Sequence, residues 1–235
     1  MTTPQPQNLI YITARISFPW LVEPQSRVNE KGVTTQSYNA DLIVAPNDPS
    51  FAKFMQEYAK MAGEKWKENA QAAMTRIQSD RKTRCYGAGE EKVDSKTFQV
   101  RPGYAGNLFI TARSSRQPQI IKPDGTPVDP TNTLELRAFG AKIYGGCWVN
   151  AVIKPWIQQN DTGIGCRCDL VAVQFARDDE AFGAGAVDTT GMFGQVQGVA
   201  APAMPGMPGP GLPFAAAPAM PQVPFPTAPG MPSFM

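Results

Sequence analysis

Hydrophobic and polar residues alternate along several stretches of this chain. Over 9–18, Ile10, Ile12, Ala14, Ile16 and Phe18 share one face, while Leu9, Tyr11, Thr13, Arg15 and Ser17 share the other. A period of two with β-branched residues predicts a half-buried strand, which Pro19 and Pro24 are expected to break. A turn is expected around Asn29–Gly32, followed by a second strand at 36–44 with Tyr38, Ala40, Leu42 and Val44 inward. The period then changes. Asp48 is placed to cap a helix and Pro49 to open it. Phe51, Phe54, Met55, Tyr58, Ala62 and Trp66 recur at helical spacing, predicting a helix over 49–68 that extends as far as 77. Residues 79–103 read as a long polar excursion with at most a short strand at its end.

Alternation resumes at 106–116, with Leu108, Ile110 and Ala112 opposite Phe109, Thr111 and Arg113. Residues 118–122 continue extended, and LELRAF at 134–139 is a strand candidate. Residues 147–158 predict a strong strand in which Val149, Ala151 and Ile153 oppose Trp148, Asn150, Lys154 and Trp156. Pro155 implies an edge or a bulge there. A turn at 160–163 leads into the last strand at 165–176. Five or six short strands with one main helix between the second and third predict a mainly β fold, an OB-fold-like five-stranded barrel with one inserted α-helix.

Composition changes the picture at the C-terminal end. From Gly183 onward there is no Lys or Arg and one acid, Asp188. Ala-Pro-Ala-Met-Pro occurs at 201–205 and again at 217–221, and Ala-Pro-Gly-Met-Pro at 228–232. Frequent Pro removes backbone donors and frequent Gly raises chain entropy, so no packed core offsets the cost of ordering. The expected organisation is a folded domain over 1–183 and a disordered Pro/Gly/Met-rich tail over 184–235. No run is long and apolar enough for a membrane span, and no signal peptide is evident, so a cytoplasmic site is expected.

The net charge of +2 hides a local bias: Arg76–Lys122 holds ten basic residues against four acids, a modest footprint for a polyanionic partner. The chain has no His, which removes the commonest general base and excludes Ser/His/Asp and Cys/His catalysis. Cys85, Cys147, Cys166 and Cys168 lack the spacing of a zinc knuckle and read as buried small hydrophobes. Neither Gly-Ala-Gly run has the lysine of a phosphate loop, and the acids are scattered. No cofactor, metal or enzymatic activity is expected.

The candidate chemistry is therefore binding. If the Ile and Leu positions face the core, Arg15, Phe109 and Arg113 face outward, with Arg116 just beyond. A ring and a guanidinium on one strand face suit single-stranded nucleic acid, because the ring stacks on a base and the cation meets phosphate. Trp148, Lys154 and Trp156 form a second such set, and Arg101 and Tyr104 a third within the excursion. Arg84 belongs to a basic knot, Arg81-Lys82-Thr83-Arg84. Each set also has a plainer reading, in which the rings pack into the core and the charges only meet solvent.

The blocks ARISFPWLVEP at 14–24, YNADLIVAPNDP at 38–49, YAGNLFITARSSRQPQII at 104–121, GGCWVNAVIKPW at 145–156 and GCRCDLVAVQFARDDEAFG at 165–183 resemble, in this order, a family of bacteriophage single-stranded DNA-binding proteins. The resemblance implies an OB fold and sequence-independent binding of single-stranded DNA during phage replication, recombination or repair, in the cytoplasm of an infected bacterial host. It implies no catalysis. Many such proteins end in an acidic tail that recruits partners; this one keeps Phe225 and Phe234 but lacks the acids. The expected roles for it are recruitment of replication or recombination proteins through apolar contacts, self-association, or spacing. The alternative is a phage structural or assembly protein with the tail as a tether.

Overall fold

The computed structural model describes residues 8–28, 32–161 and 163–183. The residues of the expected tail, 184–235, lie outside them, as do 29–31 of the expected turn. The strands are β1 (Ile10–Val28), β2 (Thr34–Val44), β3 (Tyr86–Ala88), β4 (Leu108–Ser114), β5 (Gln119–Ile121), β6 (Trp148–Asn160) and β7 (Gly163–Arg177). They form one sheet in the order β3-β4-β2-β1-β6-β7-β5, antiparallel except for the parallel β5–β7 pair. The helices are α1 (Pro49–Trp66), α2 (Ala70–Ser79) and α3 (Thr133–Gly140). The mainly β reading, with helix inserted after the second strand, holds.

Alternation sets the core. Ile10, Ile12, Ala14 and Ile16 of β1 meet Leu42 and Val44 of β2, Ile110 and Ala112 of β4, and Val149, Ala151 and Ile153 of β6, all buried. Helix α1 seats Phe54, Tyr58 and Ala62 on this core. Its start is as expected: the Asp48 carboxylate accepts the Ser50 N–H at 2.8 Å and Pro49 opens the first turn. A 3-10 turn at Lys67–Asn69 separates α1 from α2, so the helical run reaches Ser79 in two pieces.

Four expectations are corrected. The prolines do not end β1. Pro19 and Pro24 fall within its two register irregularities against β2, where a missing N–H costs no ladder bond. The first irregularity turns Phe18 outward at φ 50, so it leaves the core face and is exposed. The 79–103 excursion contains β3, and Tyr86 enters the core edge-on to Phe51, Phe54 and Tyr58. LELRAF is helix: Asn132 accepts the Glu135 N–H at 3.2 Å, and the eight-residue helix buries Leu136 while Leu134 stays exposed. Pro155 behaves as expected, because β1 pairs with β6 only as far as Ile153 and the β6–β7 register shifts between Val152 and Ile153.

The ladder does not close on itself among the described residues. Its edges are β3 and β5, and β4 approaches β7 without a ladder between them. The seam is spanned by Lys82–Cys85. Thr111 N–H donates to the Cys85 carbonyl at 2.6 Å, and Cys166 N–H donates to the Thr83 carbonyl at 2.7 Å. Gly165 permits the close approach, since a Cβ there would sit 2.7 Å from the Thr83 oxygen.

Candidate nucleic-acid interface

Ladder register places side chains in rows across the outer face of β1, β2 and β4. Arg15, Ile43 and Phe109 form one row, Ser17, Asp41 and Thr111 the next, and Trp20, Asn39 and Arg113 the third. Residues 92–104 fold over the first two rows. Asp41 pins them there, accepting from Lys92 Nζ at 2.7 Å, the Tyr104 hydroxyl at 2.6 Å and the Thr111 hydroxyl at 2.5 Å. Burial, with the neighbouring Asp41 charge, pushes the Tyr104 hydroxyl well above its usual value. This flap explains why Phe109 and Tyr104 are buried against Ile43 rather than facing outward. Neither ring has a face left for a base, and Lys92 lies 4.3 Å from the Phe109 centroid.

Four further candidates are committed to protein contacts. Arg84 makes a two-pronged pair with Glu91 at 3.0 and 2.9 Å and donates to the Tyr86 carbonyl. Arg101 pairs with Asp94 at 3.1 Å and lies over the Phe18 ring. Arg15 grips residues 178–183: it donates to the Glu180 carbonyl at 2.6 Å, pairs with Asp179 at 3.5 Å and lies 4.4 Å from the Phe182 centroid. Trp148 joins the same clasp, its indole N–H on Asp179 at 2.7 Å and Arg177 4.5 Å over its ring. The outward faces foreseen for Arg15 and Trp148 exist, but the chain's own residues occupy them.

The remaining candidates sit differently. Lys154 is exposed on the outer face of β6, two positions from Trp156, and Arg116 is exposed just past β4. Arg113 and Trp156 both line a groove of about 500 Å³ along the β4–β7 seam. Six of its lining residues are Arg or Lys, and Glu91 is the one acid among them. That acid is taken by Arg81 and Arg84, and Lys92 by Asp41. Among the described residues, Arg113 and Lys82 have no carboxylate within ion-pair reach. Partial burial first, then the nearby Arg27 and Arg167 charges, lower the Arg113 pKa from its ordinary value. The groove thus concentrates positive charge that the fold leaves unneutralised.

Trp156 supplies the ring. It is 38% exposed, enough to offer a face, and its indole N–H is fixed on Asp169 at 2.8 Å. Directly across the ladder is Arg167, held by Gln158 at 2.7 Å and by the Lys82 carbonyl at 3.1 Å. Lys82 belongs to the basic knot that the sequence singled out, but sequence reasoning missed Arg167 in the groove, and Arg27 and Trp20 near Arg113. Arg167 was detectable: strand alternation that sends Cys166 and Cys168 inward sends Arg167 out. Trp20 was hidden by the β1 irregularities, and Arg27 becomes a neighbour of Arg113 only through the β1–β2 pairing.

This fold is similar to that of solved phage proteins described as binding single-stranded DNA. The single-stranded DNA-binding protein from bacteriophage Enc34, solved in complex with single-stranded DNA, aligns with a TM-score of 0.55 at 26% identity, covering 76% of this chain and 91% of that one. A C-terminal truncation of the Enc34 protein aligns with a TM-score of 0.50 at 24% identity, covering 75% and 90%. "Putative protein p50" of Acyrthosiphon pisum secondary endosymbiont phage 1 is 30% identical over 181 residues, 76% of this chain and 88% of that protein. The family model described as Enterobacter phage Enc34, ssDNA-binding protein, matches residues 7–200, and the chain belongs to that family.

Proposed function

We propose that this chain binds single-stranded DNA without reading its sequence, in phage DNA replication, recombination or repair. One observation carries the reading: a cationic groove, whose Arg113 and Lys82 have no carboxylate within ion-pair reach among the described residues, surrounds the exposed, oriented ring of Trp156. The ring stacks on any base, and the cations take the backbone. The chain performs no chemistry on the strand it holds. It acts in the cytoplasm of the infected bacterial host; no helix among the described residues is long and apolar enough to cross a membrane. The Pro/Gly/Met-rich residues from 184 onward recruit replication or recombination proteins or mediate self-association, through apolar contacts rather than acidic ones.

Tryptophan emission provides the test, since Trp156 lies in the groove. Titration with a single-stranded oligonucleotide quenches emission, duplex of the same length does so far more weakly, and raising salt weakens both through counterion release. Equal response to duplex and single strand, or none to either in emission and in a filter assay, overturns the reading.

A further inference from the structure

Three unpaired thiols, Cys85, Cys166 and Cys168, lie beneath the groove. Cys85 and Cys166 are 81 residues apart in sequence, yet their sulfurs are 3.8 Å apart. The two sit on opposite sides of the seam that no ladder closes. Cys85 ends the spanning segment and lines the groove floor, and Cys166 stands in β7 beside Arg167, fully enclosed. Their backbones are already tied across the seam by the Cys166–Thr83 and Thr111–Cys85 hydrogen bonds. A disulfide between them closes this 3.8 Å contact to ~2.0 Å.

We propose that Cys85 and Cys166 form a redox-modification site entered from the groove, which takes a small-molecule disulfide as co-reactant and closes to an intramolecular disulfide. The Cys85 thiolate attacks the small disulfide, forming a mixed disulfide and expelling one thiolate. Cys166 then loses its proton and attacks the Cys85 sulfur, expelling the second. Two protein thiols are oxidised and one small disulfide is reduced to two thiols. Cys85 and Cys168 both line the groove while Cys166 does not, and burial pushes the Cys168 thiol, like that of Cys166, well up, so Cys85 opens the reaction. The product staples the seam-spanning segment to β7 under Arg167 and Trp156. Gating by nucleic acid rests on the groove being the DNA site, as proposed above.

The test incubates the reduced 235-residue chain with oxidised glutathione, alkylates it and maps the peptides. The expected course is a glutathione adduct on Cys85, then loss of two thiols and a peptide joining Cys85 to Cys166. A saturating thymidine oligonucleotide slows the first step several-fold. Cys166→Ser accumulates the Cys85 adduct, and Cys85→Ser gives neither adduct nor link. A Cys166–Cys168 link, or a Cys85 that stays unmodified in the folded chain, overturns the proposal. An oligonucleotide that quenches tryptophan emission but leaves the rate unchanged overturns entry from the groove. A link that forms in a chain binding no oligonucleotide leaves the thiol site standing and refutes the DNA-binding reading.

Discussion

Arg113 illustrates how register decides what a residue does. Four residues earlier on the same strand face, Phe109 is buried under the flap, while Arg113 lies in the row the flap leaves open. Its guanidinium is not consumed by a carboxylate, so removing it takes a phosphate contact and no fold contact. Arg113→Ala is expected to weaken single-strand binding about equally across sequences and to reduce the salt slope by about one, with circular dichroism unchanged. Trp156→Ala removes a stacking platform, costs about 1–3 kcal/mol of binding and leaves the salt slope near its original value. The two measurements separate cation from ring. At this scale the sequence was legible wherever alternation was regular, as it was for Ile10–Ile16 and Arg113. It was not legible for Phe109 and Tyr104, because their burial depends on Asp41, a residue on another strand, catching Lys92 and Tyr104 from a loop with no periodic pattern.

Elements failed in prediction where backbone irregularity or a cap outweighed pattern. The β1 run survives two prolines because the β2 register slips at both. The LELRAF helix follows from the Asn132 cap, which a six-residue alternating run conceals. The segment Asp178–Gly183 has no periodic pattern to announce it, yet it is held by Arg15, Tyr144 and Trp148, with Phe182 packed where a Cβ at Gly103 would clash at 2.2 Å. Its anchor is Asp179, whose carboxyl is held below the usual range by the Glu180 N–H first, then by the Trp148 indole and Arg15. A carboxyl depressed in the folded state supports the clasp above the unfolded value near ~3.9, and that support disappears as pH falls through the lower folded value. Acidification below about pH 4 should therefore change Trp148 emission while far-UV dichroism is retained. Asp179→Asn abolishes that transition, and Trp148→Phe removes its signal.

For the whole molecule, division of labour is the main proposition. The groove residues all fall between Arg81 and Cys168, within the 7–200 match to the family. Deleting 186–235 is accordingly expected to keep intrinsic affinity for a short oligonucleotide within a few-fold, measured by the same emission titration. A large loss would place DNA contacts in the repeats, contrary to their lack of Lys and Arg. The clasp carries a further consequence, for synthesis. Arg15 bonds Glu180 across 165 residues, and β1 pairs along one edge with β6, more than a hundred residues later. During translation, β1 and β2 leave the ribosome long before β6 and β7 exist to cover that edge. Such non-local topology makes for slow folding, with an unpaired β1 edge exposed while the nascent chain grows. The early arrival of α1, which lays Phe54 and Tyr58 over the same apolar face, shields the chain during that interval.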